Sequence, residues 1–219
     1  MNFFHTKYFY ENEPINRLKT KPEVEEKTLV LENLKKQIEK IDNCELKKNS
    51  NRIVFGDGNY NSEIMIIGEA PGQKEDILGK PFVGDAGVLL DKMLKAISLD
   101  RRNVYITNVV NFRPPNNRKP LSTEILRYLE FLKDHVLIIN PKIIILMGST
   151  AMEALYSAST KISKERGEWK EIHIKNKLFK TMITFHPAYL LRQPEQKKYS
   201  WEDLKKIRKQ LDKLKINPQ

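Results

Sequence analysis

The sequence predicts an α/β protein: a three-layer α/β/α sandwich around a central four-stranded parallel sheet, with one short extra strand. Three observations carry that expectation. Four short, β-branched runs each end in Gly or a polar residue, helical-period segments stand between them, and no internal repeat or low-complexity tract interrupts the alternation. Strands separated by helices run parallel and need both sheet faces covered.

Residues 1–30 are charged, contain Pro14 and Pro22 and hold no sustained period, so an irregular N-terminal extension is expected there and a single domain over 31–219. From Thr28 to about Ile41 apolar residues recur at 29, 30, 31, 34, 38 and 41, the spacing of a helix face. "EIMIIG" (63–68) is the first buried strand, and a Gly/Pro-rich loop leads from it into a helix from about Asp85 to Ile97. "NVYITN" (103–108) is the second strand. After a loop stiffened by Pro114 and Pro115, Ser122 or Thr123 is placed to cap a helix running to about Ile139. "KIIILMG" (142–148) is the third strand. "EIHIKNKLFKTMITF" reads as a short strand turning at Asn176 into a longer one that ends at His186, and Ser200 is placed to cap a basic C-terminal helix to about Leu214.

Composition narrows the function classes. No apolar run is long enough for a membrane span, and the first residues lack the apolar core of a secretory signal, so the cytoplasm is the expected compartment. The single cysteine, Cys44, excludes an internal disulfide and any all-cysteine metal site within one chain. The net charge is +11; residues 1–50 hold 10 basic and 9 acidic residues, so residues 51–219 carry the other ten charges. That balance points to a polyanion, nucleic acid first, although a solvated Lys-rich surface has the same composition.

Open parallel sheets bind ligands beyond the carboxyl ends of their strands. The polar residues at those ends are Glu69, Asn108, Ser149 and His186. "GEAPGQKEDILGKPFVGDAG" (68–87) is Gly-rich but matches neither dinucleotide nor phosphate-loop patterns. Its Pro71-Gly72 suits a turn that aims Glu69, and Phe82 is either a core residue or a platform for a flat ligand. Asn108 alone is as well read as a turn former, and His186 before Pro187 as a structural histidine. No second His or Cys lies near enough in sequence to suggest a metal site.

Taken together, "GEAPGQKEDILGKPFVGDAGVLLDKML", "VYITNVVNFRPPNNRKP", "PKIIILMG", "RGEW" and "TFHPAYLLRQPEQK" closely resemble the family-four uracil-DNA glycosylases, in order and spacing, over about residues 30–210. The resemblance implies a uracil-DNA glycosylase-like fold and hydrolysis of the N-glycosidic bond of a flipped-out deoxyuridine, leaving an abasic site. It implies that Glu69 and His186 are catalytic, with Gly68, Glu75, Phe82 and Asn108 around the uracil. Phe82 would stack on the base, Asn108 read its edge, His186 donate to O2, and Glu75 stand near C5, while Glu69 would either position a water and stabilise the charge on the sugar or act as general base. Arg113, Arg118, Lys119 and Arg192 are the implied DNA contacts, with Leu190 or Leu191 as the wedge that fills the gap in the stack. The implied partner is uracil-containing DNA, single- or double-stranded, bound by a monomer with no membrane association.

The chain departs from its family at one place. Most members of the family it resembles hold a 4Fe–4S cluster with four cysteines. Here "IDNCEL" keeps one as Cys44 and has Ile41 at another, while Phe112 and Tyr128 stand at the remaining two. No cofactor is therefore expected, and an apolar plug is expected instead. The alternatives are a weak or inactive DNA- or base-binding relative, and a cross-linking relative whose histidine stays attached to the sugar. Joint retention of Glu69, Phe82, Asn108 and His186 argues against the first. The second carries an extra basic loop ending in histidine, for which "KISKERGEWKEIHIK" has no equivalent, His173 falling on a predicted strand.

Overall fold

A computed structural model describes residues 21–216, with side chains from Glu26 onward. Nine helices among these residues are α1 (Lys21–Glu39), α2 (Glu45–Lys48), α3 (Gln73–Leu78), α4 (Asp85–Lys95), α5 (Ser122–Ile139), α6 (Ser149–Leu155), α7 (Ile162–Glu165), α8 (Pro187–Arg192) and α9 (Lys197–Lys213). The strands are β1 (Asp57–Gly58), β2 (Ile64–Gly68), β3 (Tyr105–Asn108), β4 (Ile143–Met147), β5 (Trp169–Ile174) and β6 (Lys177–Thr184). They form one sheet in the order β1-β3-β2-β4-β6-β5. The four central strands are parallel as expected, β5 is the expected extra strand, and β1 is a two-residue antiparallel edge that sequence reading missed.

The apolar runs are continuous because each central strand is buried on both faces. Along β2, Met65 and Ile67 join the layer under α1, α5 and α6, while Ile64 and Ile66 join the layer under α4 and α9. Strand β4 divides likewise, with Ile144 and Leu146 on the first face and Ile143 and Ile145 on the second. Helix α5 presents Ile125, Tyr128, Leu132, Val136 and Ile139 to the first layer at helical spacing, then stops at Asn140, whose left-handed φ of 56° precedes Pro141. Each buried aliphatic side chain contributes about 1.5–3 kcal/mol, so a charge at Ile66 would unmake the sheet locally.

Three sequence expectations need correction. The irregular extension over 1–30 overlaps α1, which is helical from Lys21; residues 1–20 lie outside the described residues. Neither Ser122 nor Thr123 caps α5: Leu121 is the capping residue, and its N–H donates to the Glu124 carboxylate at 2.7 Å. Ser200 does not open the last helix but lies inside it, 2% exposed, because a 3-10 turn over Pro194–Gln196 runs straight into α9.

The four positions that resemblance aligns with cluster ligands all belong to one core layer. Cys44, Phe112 and Tyr128 are buried there and Ile41 packs against it. The Cys44 sulfur lies 3.2 Å from the Tyr128 hydroxyl, and burial pushes that phenol well above its ordinary range.

Candidate active site

Strand register brings the candidate residues together. Gly68 pairs with Asn108, and Ile67 with Leu146, so Glu69 stands level with Gly148 one strand away. The Gly148 N–H donates to the Thr184 carbonyl at 2.9 Å, and a side chain on Gly148 (φ +95°) would press on the His186 Cβ at 3.0 Å. Beyond these strand ends opens a cleft of about 1260 Å³, lined by Glu69, Phe82, Asn108, Ser149 and His186. All four sequence-predicted strand-end residues therefore meet in one place.

Asn108 is 3% exposed, and its Oδ1 is buried with no hydrogen-bond partner. Leaving such an acceptor unsatisfied costs about 1–3 kcal/mol, so it is an atom awaiting a donor. Gly68 is required beside it: a Cβ there would stand 2.5 Å from Asn108 Oδ1 and 2.6 Å from the Phe82 ring.

Phe82 is held in a strained backbone conformation, φ +54°, which costs on the order of 1–3 kcal/mol and persists only when its surroundings overdetermine it. Arg101 supplies part of that restraint, its guanidinium donating to the Phe82 carbonyl and, at 3.2 Å, to that of Pro81. Glu75 supplies the rest. Its Oε1 accepts from the N–H groups of Val83 (2.8 Å) and Gly84 (2.7 Å), and its Oε2 from that of Gly72 (3.1 Å). Glu75 thus lines the cleft, with both of its oxygens engaged in fixing the loop that carries Phe82. The ring is 5% exposed and its centroid lies 5.3 Å from that of His186, so Phe82 is both core residue and cleft wall.

His186 opens α8. Its Nδ1 accepts from the Ala188 N–H at 3.1 Å, so in the neutral ring the proton sits on Nε2. Burial, with the nearby Arg192 charge, lowers its pKa to about 4. The neutral, Nε2–H form therefore prevails at ordinary pH. Across the cleft, the Thr150 hydroxyl donates to Oε2 of Glu69.

Residues 55–208 match the family model described as the uracil DNA glycosylase superfamily. The chain belongs to that superfamily. It is 38% identical over 181 residues to a type-4 uracil-DNA glycosylase of Archaeoglobus fulgidus, covering 81% of this chain and 91% of that one. The corresponding protein of Sulfurisphaera tokodaii is 41% identical (81% and 83% covered), and that of Thermotoga maritima 38% (82% and 93%).

In this uracil DNA glycosylase fold the cationic rim differs from the sequence expectation. Arg118 is locked in a two-pronged pair with Glu124 at 2.7 and 2.8 Å, Lys119 pairs with Glu153 at 2.9 Å, and Arg113 bonds Asn117 at 2.7 Å. Arg192 and Lys161, which also line the cleft, have no ion pair among the described residues. Leu190 is corrected outright: at 1% exposure it packs in the second core layer, whereas Leu191 is 43% exposed. Sequence reading also missed Thr150 and Arg101, whose partners Glu69 and Phe82 lie far from them in the chain, and Lys161, which only the fold brings to the cleft. Arg166 of the "RGEW" stretch pairs with the buried Asp203 of α9, its Nε 3.0 Å from the carboxylate, and lies over the Phe185 ring beside His186. No helix among the described residues is long and apolar enough to cross a membrane.

The buried histidines set an acid limit on the glycosylase fold. His135, 2% exposed, stacks on Phe55 and shares a 2.8 Å hydrogen bond with Tyr105, and burial lowers its pKa to about 3. Both His135 and His186 are depressed below the unfolded value of about 6.5, so their neutral forms cost nothing above that pH. As pH falls from about 6.5 toward 4, the unfolded chain binds protons that the folded chain refuses, and stability drops. For His135 the loss is about 1.4 kcal/mol per pH unit once well below 6.5. Urea unfolding at pH 7, 6, 5 and 4 should show midpoints falling through this window, and a flat profile would contradict it.

Proposed function

We propose that this chain hydrolyses the N-glycosidic bond of deoxyuridine flipped out of DNA, leaving an abasic site, and that it does so without an iron–sulfur cluster. The observation that carries the reading is the orphaned Oδ1 of Asn108 in the same cleft as the Nε2–H of His186. Uracil offers a donor at N3 and acceptors at O2 and O4. The Asn108 oxygen accepts from N3–H, its amide donates to O4, and His186 donates to O2. Cytosine presents an acceptor at N3 and a donor at C4, so the same amide rejects it. Phe82 provides the face on which the base lies.

Rupture of the bond places negative charge on O2 and positive charge on the sugar. A donor already aimed at O2 stabilises the first without reorganisation. The Glu69 carboxylate faces the second and holds the water whose oxygen joins C1′ as the C1′–N1 bond breaks; the base leaves with the bonding pair and takes up the proton the water sheds. Base flipping into the cleft is supported by the depth of Asn108, which no stacked base can reach. Leu191 is the wedge in this reading, with Arg192 and Lys161 on the backbone phosphates.

A 4Fe–4S cluster needs four thiolates. This chain has one cysteine, and its sulfur is engaged by Tyr128. The residues do not fit the group, and the buried Phe112 and Tyr128 tie the same segments together through the core. Two measurements test the proposal. Labelled oligonucleotides with uracil, alone and opposite G or A, should yield alkali-labile sites, and anaerobically purified protein should carry no stoichiometric iron. Binding without cleavage would favour a DNA-binding relative, and a denaturation-stable adduct a cross-linking one.

A further inference from the structure

We infer that Thr150 is a positioning residue for hydrolysis, fixing the direction of the Glu69 carboxylate through its hydroxyl. The inference rests on the proposed role of Glu69. Thr150 is fully buried, at 0% exposure, as the second residue of α6, where no earlier turn of its own helix offers its hydroxyl a carbonyl. Here it crosses to a residue 81 positions earlier, donating to Glu69 Oε2. The juxtaposition follows from the sheet: β2 and β4 are parallel neighbours in register, so the residues just past their ends share one edge of the cleft.

The consequence is an asymmetric carboxylate. Among the described residues Oε2 has this one side-chain partner, while no side-chain bond engages Oε1, which is left for a water. A free Glu side chain samples several rotamers. A buried donor removes that freedom before substrate arrives, which is how preorganisation lowers a barrier. Because the one side-chain hydrogen bond of the Thr150 hydroxyl goes to Glu69, its effect should fall on the chemical step and leave base recognition by Asn108 and Phe82 alone.

Thr150→Val keeps the shape and removes the donor, Thr150→Ser keeps the donor, and Thr150→Ala serves if the valine variant fails to fold. Single-turnover excision of uracil should slow about 10–100-fold in the valine or alanine variant, with half-saturating enzyme concentration unchanged. The serine variant should return to within about threefold of wild type. In a Glu69→Ala background the same substitution should cost nothing further. A wild-type rate without the hydroxyl, an equal loss in the Glu69→Ala background, or a loss confined to binding would overturn the inference. A crystal structure of the donor-less variant gives a readout independent of activity: Glu69 should leave its wild-type rotamer, and an unmoved carboxylate would also refute it. Absence of uracil excision by the wild-type protein would instead refute the proposed function.

Discussion

Replacing Asn108 by alanine should lower kcat/KM for uracil excision by about 10²–10⁴-fold and should not lower thermal stability. The first half follows from two hydrogen bonds to the base edge, each worth about 1–3 kcal/mol when its partner is left buried and unpaired. The second half separates this residue from an ordinary buried asparagine. Oδ1 has no partner in the free protein, so the folded state bears the desolvation of that atom with nothing returned. Alanine removes the penalty, and the melting temperature should hold or rise, a trade of stability for function. Single-turnover excision and a thermal melt on the same preparation check both. A variant that melts much lower would mean that Asn108 is a structural tie, the turn-former reading, and that the empty acceptor has another explanation.

The second large effect is expected at Glu69. Glu69→Gln keeps an oxygen for the Thr150 hydroxyl and nearly the same volume, but it removes the negative charge that faces the sugar in the proposed mechanism. Excision should fall by about 10²–10⁴-fold, while affinity for uracil-containing DNA, read by gel shift, stays within a few-fold. Affinity should be spared because the proposed recognition rests on Asn108, Phe82 and His186, which the substitution does not touch. Excision within tenfold of wild type by the glutamine variant would rule out both a charge-stabilising and a base role for this side chain.

Much of this site was legible because its residues stand where an alternating α/β pattern puts ligands. Glu69, Asn108 and His186 each follow an apolar run by one or two positions, and parallel pairing with little stagger makes such residues neighbours. Thr150 was not legible: it lies inside a helix, and only the pairing of β2 with β4 brings it to Glu69. The cations misled for a similar reason. Arg118 and Lys119 read as free charges on a stiff loop, yet Glu124 and Glu153 lie against them once α5 and α6 pack. Leu190 and Leu191 are adjacent and chemically identical, and only the rotation of α8 sends one into the core and the other to solvent.

Local chemistry alone therefore determined the strands, the helices between them, the parallel sheet and the polar residues at its ligand-binding edge. It also determined that four thiolates are not available in one chain with a single cysteine. These properties depend on apolar period, turn residues and composition, which act over a few positions. Tertiary structure decided which charges remain unpaired, which leucine is exposed, why a phenylalanine sits at positive φ and what aims the Glu69 carboxylate. Those depend on contacts between segments as far apart as 81 residues, and nothing local in the chain encodes which distant partner arrives.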